Sequence, residues 1–537
     1  MSIPDPAETV HTPAQRAPAP WSGFVIFAVC AGLYLLPFMR LLQLGGDEGS
    51  VVYSAVRIVH GEVFARDFFE VMGPGTPYWV AAFFKVFGVT FLATRICLFL
   101  TSLGTGLLMY FLSCRVCERY RWLPCLLLAS TSFGALWPGN SHHVDGNFFA
   151  LLSVACIVLW QDMHWKVLLV SAGALAGLTT CFFQPKGVLL LVAMLLWLWI
   201  QRQRKAASIS AFGLIAGGHL SVAGVVLAYF QSQAALGSLI YANVVWPSRH
   251  YAAVNSVSYA QGIIGWYWDR YISMKDAFSG PIGFVAIAAA AILIAPILFV
   301  AALPVLTPAS ALLAVFAGRN KWQIVTPEIA LYGLSGIALW LSEIHRTDIF
   351  HLVFGAPLLM ILCIYFLDSI QRKFAANALQ LLAICAVGLA AFNLIGALTA
   401  HSVKTRAGSV GLFKDDPVLA FIDTHTAAGE YMFVYPYHPM YYFLSSTTNP
   451  TRYSILLYNY DTEKEFYDAV NSLELRRPRY VIWDVGFEDK VKDDFPTSNR
   501  TGSTGRIIEP YLESHYRPVE EDNGVRIMER KGTEAAN

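Results

Sequence analysis

Charge is scarce in this chain. Asp, Glu, Lys and Arg make up only 14% of 537 residues, well below the roughly 25% of a soluble globular protein, so a fold solvated by water throughout is excluded. The charge present nearly cancels, with 38 Lys and Arg against 37 Asp and Glu, and leaves no overall field to draw nucleic acid. Cysteine is missing after Cys385, which argues against a disulfide framework in the polar C-terminal region. Cys114 and Cys117 form a C-x-x-C, but without a second pair or a nearby histidine they read as packing rather than a zinc site. The region after His401 shows no internal repeat and no Gly-rich phosphate loop. Residues 1–20, rich in Pro and Ala and without an apolar core or cleavage site, read as a disordered cytoplasmic tail rather than a signal peptide.

Apolar residues are abundant, at 56% with a mean hydropathy of +0.50. A bilayer core takes about 20 apolar residues per helix. Polar ends mark hydrophobic segments at about 22–42, 92–113, 122–138, 146–161, 166–183, 187–201, 209–230, 281–303, 325–342, 349–368 and 376–399. The expected fold is therefore mainly α, a polytopic helical membrane domain of about 11 spans over 21–402. The apolar stretch 304–317 either extends the eighth span or lies at the interface. With the tail inside, short inner loops hold Arg115, Arg119 and Arg121, then Lys166, then Arg202, Arg204 and Lys205, then Arg319 and Lys321, then Arg372 and Lys373. That bias fixes the orientation, and an odd number of spans places the C-terminus outside.

The outer loop 45–91 holds two amphipathic stretches, 50–59 and 78–87, separated by the turn sequence MGPGTP at 72–77. A second outer loop, about 231–280, is dense in aromatics, including Tyr241, Trp246, Tyr251, Tyr259, Trp266, Tyr267, Trp268 and Tyr271, as expected of chain at headgroup level. From 403 to 537 charges become frequent, and the pattern predicts a small extracytoplasmic α/β domain. Its helices are expected at 416–426 and 462–472, and its strands at 431–435, 480–484 and 524–529.

This topology gathers ionisable residues at one side of the membrane, where their cost implies a polar cavity. They are Asp47, Glu48, Arg66, Asp67 and Glu70 after the first span, His142, His143 and Asp145 after the third, Lys186 after the fifth, and His345, Arg346, Asp348 and His351 after the ninth. Asp47 and Glu48 follow two glycines, and a carboxylate beside lipid suits a general base; the plainer reading is a helix cap. Lys186, in the sequence FQPKG, is either a cation for a lipid-linked phosphate or a snorkelling lysine. Arg346 and His351 frame Asp348 as a phosphate or sugar contact or as an ion-paired loop. His142, His143 and Asp145 offer donors for a divalent metal at a spacing too generic to specify one.

Four stretches together resemble the C-type membrane glycosyltransferases, the superfamily of dolichyl-phosphate-mannose protein mannosyltransferases and bacterial aminoarabinose transferases. They are GGDEGSVVYSAVRIVHGEVFARDFFEVMGPGTPYW at 45–79, HHVDGNFF at 142–149, FQPKG at 183–187 and HRTDIFHLVFGAP at 345–357. The resemblance implies an inverting transferase of the bacterial inner membrane. It would move a monosaccharide from a polyprenyl-phosphate donor to a lipid, glycan or protein acceptor on the outer face. Asp47 with Glu48 beside it would be catalytic, and Lys186, Arg346 and His351 would hold the donor phosphate. Arg66, Asp67, His143, Asp145 and Asp348 would support sugar or acceptor. The chain lacks the sugar-binding repeat insertion of animal and fungal mannosyltransferases, which points away from protein O-mannosylation. Two other classes fit polar groups between helices: a lipid-sugar flippase or transporter, and a membrane scaffold.

Overall fold

In the computed structural model, residues 21–42, 44, 46–132, 139–251, 256–265, 281–317, 326–458, 461–487 and 506–532 are described. The expected tail, the inner-loop Arg319 and Lys321, and Trp266, Tyr267, Trp268 and Tyr271 lie outside them. The membrane part is a bundle of helices. In chain order these are α1 (Trp21–Leu35, continued by a tighter turn at Leu36–Arg40), α2 (Gly46–Val59), α3 (Gly75–Phe87), α4 (Phe91–Val116), α5 (Leu123–Ser132), α6 (His142–Met163), α7 (Lys166–Phe182), α8 (Gln184–Gln203) and α9 (Ile209–Ser232). Beyond residue 280 come α10 (Pro281–Phe316), α11 (Pro327–Leu341), α12 (Ile349–Gly355), α13 (Pro357–Ser369) and α14 (Lys373–Thr399).

Each expected hydrophobic segment overlaps one of these helices, except 349–368, which is divided between α12 and α13, and the helices are not equivalent. Among the described residues, seven are long and apolar enough to cross a bilayer alone, and α12 with α13 makes an eighth apolar pair bent by 70°. The apolar helices α5, α7 and α11 are shorter. Large apolar side chains such as Leu220, Val225, Ile384 and Phe392 remain exposed on α9 and α14, as helices solvated by lipid require. The stretch 304–317 extends the eighth span: α10 runs through Pro296, Pro304 and Pro308. Proline breaks a helix in water, whereas in a bundle neighbouring helices tolerate the lost amide. Helices α7 and α9 cross so closely that a Cβ on Gly173 would lie 1.9 Å from the Ile215 carbonyl oxygen, the small-residue contact that holds helices together in lipid.

The C-terminal part opens with an antiparallel hairpin, β1 (His401–Thr405) and β2 (Gly408–Leu412). Four strands follow, β3 (Met432–Tyr435), β4 (Tyr480–Asp484), β5 (Tyr516–Asp522) and β6 (Val525–Arg530), in the order β3-β4-β6-β5. Strand β3 runs parallel to β4, and the other pairings are antiparallel. The helices are α15 (Pro417–His425), α16 (Met440–Ser445), α17 (Glu463–Arg476) and α18 (Ile508–His515). Local signals explain the expected helices: Asp416 caps α15 by accepting from the Leu419 amide at 2.8 Å, and Thr462 with Glu465 forms a capping box on α17.

This domain is not tethered loosely. The Gly411 carbonyl accepts from the Leu42 amide at 2.9 Å, and the Ala407 carbonyl accepts from Phe91 at 2.8 Å. Tyr442 stacks on Tyr53 with centroids 4.7 Å apart, and Phe443 on Phe84 at 5.8 Å. One hydrophobic core therefore runs from α2 and α3 into the sheet, and the segment around α16 is carried onto the end of the helical bundle where α2 begins.

Candidate active site

The acidic pair at the start of α2 is split by helix geometry, since neighbouring residues project about 100° apart. Glu48 turns inward and is buried. Its Oε2 accepts from Arg95 at 3.0 Å, and its Oε1 accepts from Arg95 and from the Asn140 backbone and side-chain amides at 2.9 and 3.1 Å. Arg95 also donates to the Leu41 carbonyl at 2.9 Å and lies over the Phe91 ring. Glu48, expected as a catalytic partner of Asp47, thus has both oxygens committed to a buried ion pair. Asp47 turns outward and is exposed, and its Oδ1 accepts from the Tyr437 hydroxyl at 2.6 Å.

A second group forms where α6, α8 and the turn before α12 meet. Lys186, fully buried, lies 2.8 Å from Glu343 Oε1 and donates to the Phe354 carbonyl at 3.1 Å. His143 Nδ1 lies 3.2 Å from the same Glu343 oxygen. The His143 ring stacks on Phe354 and meets the His351 ring edge-on with centroids 4.9 Å apart. His351 Nδ1 is 2.8 Å from Asp348 Oδ1, and Arg346 Nε donates to Asp348 Oδ2 at 2.9 Å. Asp348 also caps α12 through the His351 amide. The result is one continuous network, Lys186–Glu343–His143–His351–Asp348–Arg346. Lys186, expected to face a phosphate, is instead occupied internally by Glu343.

Arg346, at the end of this network, also lies within electrostatic reach of Asp47. Burial disfavours its charge, but Asp348, Tyr251 and Asp47 outweigh that and hold its pKa above the usual value. The turn is fixed from above, because Val257 exchanges backbone bonds with it: its amide donates to the His345 carbonyl at 3.0 Å and its carbonyl accepts from Thr347 at 3.1 Å. The loop between α2 and α3 is fixed as well. Asn243 donates to the carbonyls of Glu70, Val71 and Met72 at 3.3, 3.1 and 2.9 Å, and Ser50 donates to Glu70 Oε2. Desolvation raises the Glu70 carboxyl pKa and nearby Asp47 adds to the rise, against the bonds from Ser50, Met72 and Val71.

The remaining candidates stand apart. Arg66 and Asp67 pair with each other at 2.9 and 2.8 Å; the Arg66 hydrogen bonds hold the Asp67 carboxyl below its usual range. Asp145 is buried on α6 and takes no part in the network. Among the described residues no three His, Cys, Asp or Glu side chains converge as a metal site, His142, His143 and Asp145 included. Beneath the network lies an apolar cavity of about 410 Å³. Val144 and Phe354 line it at the level of the network, and Phe27, Tyr34 and Trp122 elsewhere.

Glu343, Arg95, Asn140 and Tyr437 escaped the sequence reading. Arg95 carried a signal, an arginine inside an otherwise apolar run. Glu343 and Tyr437 are brought in by folding from 157 and 390 residues away from Lys186 and Asp47, distances at which no spacing rule applies.

The fold, a polytopic helical bundle carrying a small C-terminal sheet, is also found in known proteins. Two solved structures share it. One is ArnT from Cupriavidus metallidurans bound to undecaprenyl phosphate, with TM-score 0.54 and 12% identity, covering 95% of this chain and 99% of that one. The other is the same protein in the apo state, with TM-score 0.55, 12% identity, and coverage of 95% and 98%. No protein-family model and no curated protein sequence matches the chain.

Proposed function

We propose that this protein is an inverting glycosyltransferase that moves a monosaccharide from a polyprenyl phosphate to an envelope acceptor on the outer face of the bacterial inner membrane. The observation that carries the reading is the exposed carboxylate of Asp47, held at the outer end of the bundle within electrostatic reach of Arg346. Asp47 takes the proton of the acceptor hydroxyl or amine, and the freed lone pair attacks the anomeric carbon. The bond from that carbon to the phosphate oxygen breaks, and the polyprenyl phosphate leaves with its electron pair. Arg346, supported by Asp348 and His351, offsets the charge on the leaving phosphate. Lys186 acts one step removed, anchoring Glu343 and through it His143. The apolar cavity under Phe354 suits the isoprenoid chain. The fold shared with a protein solved with undecaprenyl phosphate supports this donor class.

The test is a deletion strain whose envelope lipids, polysaccharides and proteins are compared by mass with the parent. One monosaccharide modification should be missing and should return on complementation. An envelope identical in mass to the parent's would overturn the proposal.

A further inference from the structure

Among the described residues, the hydrogen bond to the Asp47 carboxylate comes from the other end of the chain, from Tyr437 of the C-terminal domain. The contact is built into the packing. A Cβ on Gly46 would fall 2.4 Å from the Tyr437 ring, and a Cβ on Gly49 would fall 2.5 Å from the Met440 backbone nitrogen. The segment 437–440 therefore lies directly on the glycine face of α2, closer than any other residue type permits. His438 pins the same segment from both sides: Nδ1 lies 3.1 Å from the Leu44 carbonyl and Nε2 lies 2.9 Å from Asp484 Oδ2. Both partners are oxygen atoms of other segments, so the ring is held between the start of α2 and the end of β4. Phe487 backs the Tyr437 ring, with centroids 5.2 Å apart.

We infer that Tyr437 is a positioning residue for the transfer, by which the C-terminal domain completes the membrane-embedded site: its hydroxyl fixes the Asp47 carboxylate through Oδ1 and aims Oδ2 at the acceptor. This rests on the reading of Asp47 as the base. A free aspartate at a helix start samples several rotamers, and only some of them present an oxygen to the acceptor. A single charged hydrogen bond of this kind holds it in one, which makes the C-terminal domain part of the catalytic apparatus rather than an accessory.

The test uses the full chain expressed in the deletion strain at matched levels, with the initial rate at which the missing monosaccharide returns as one readout. The second readout is binding of undecaprenyl phosphate to the purified chain. Tyr437→Phe keeps the ring and removes the hydroxyl; it should slow the rate by about ten- to a hundredfold, the range of one charge-assisted hydrogen bond, with undecaprenyl phosphate binding unchanged. In an Asp47→Glu background, where the carboxylate is displaced by a methylene, the same substitution should cause no further loss. Gly46→Ala, which pushes the ring aside without touching the hydroxyl, should reproduce the loss and guards against a poorly folding Tyr437→Phe. Wild-type rates for Tyr437→Phe or Gly46→Ala, with Asp47→Asn inactive, would overturn the inference and leave the base in place. Equal losses from Tyr437→Phe in both backgrounds would also overturn it. A fully active Asp47→Asn would remove the base and the inference together.

Discussion

Glu48→Ala should unfold this protein more readily rather than merely silence it. The Arg95 guanidinium is 1% exposed and Glu48 is 6% exposed, so removing the carboxylate strands a cation in the bundle with the Leu41 carbonyl and the face of Phe91 as its remaining partners among the described contacts. Adding the lost bonds at about 1.5–3 kcal/mol each overshoots, because Asn140 keeps its bond to the Thr94 carbonyl and relaxes. The appropriate magnitude is that of one broken buried pair, about 3–5 kcal/mol. Replacing both partners by apolar groups of similar size, Glu48→Leu with Arg95→Met, should recover most of that loss, since the unpaired charge disappears with its partner. The assay is unfolding of the full chain in detergent, followed by circular dichroism, beside the transfer rate in the deletion strain. If Glu48→Ala unfolds like the parent while transfer is abolished, Glu48 belongs to the chemistry and the structural assignment fails.

Two further outcomes follow from buried charge elsewhere. Lys186→Ala should destabilise the bundle by up to about 3–5 kcal/mol by leaving the buried Glu343 with His143 as its remaining partner among the described contacts, and Lys186→Met combined with Glu343→Leu should restore much of it; the same unfolding assay decides, and an unchanged midpoint for Lys186→Ala would show that the pair carries no such weight. In the C-terminal domain, burial and the neighbouring Glu465 push the Asp461 carboxyl well above its usual range. The folded state then holds its proton more tightly than the unfolded state, so stability falls as pH rises above the ordinary carboxylate range. Asp461→Asn keeps an acceptor for the Leu457 amide, which Asp461 Oδ2 binds at 2.7 Å. Its melting temperature should match the parent's near pH 4 and exceed it increasingly toward pH 8; a constant difference across that range would contradict the shift.

The helical bundle was legible because lipid imposes a pattern that sequence displays directly: long apolar runs with basic residues between them. Strand β4, buried along its whole length, showed equally clearly as an apolar run. Strand β5 did not, because it lies at the sheet edge with most of its residues exposed, leaving no apolar alternation to read. The stretch 304–317, too short to span alone, read equally as an extension of the eighth span or an interfacial segment; packing against neighbouring helices lets α10 run on through Pro304 and Pro308. Of the site, the residue types were readable, but the direction of each side chain was not. Asp47 and Glu48 are adjacent letters with opposite surroundings, and only packing tells that Glu48 and Lys186 are spent on Arg95 and Glu343. The role of Tyr437 depends on the chain returning to α2 after the last span, which no local pattern encodes.

The central claim is transfer from a polyprenyl phosphate with Asp47 as base, and Asp47→Asn in the deletion strain tests it most directly. The variant should insert, fold and bind undecaprenyl phosphate like the parent, yet fail to restore the missing monosaccharide. Full restoration by Asp47→Asn would contradict the account.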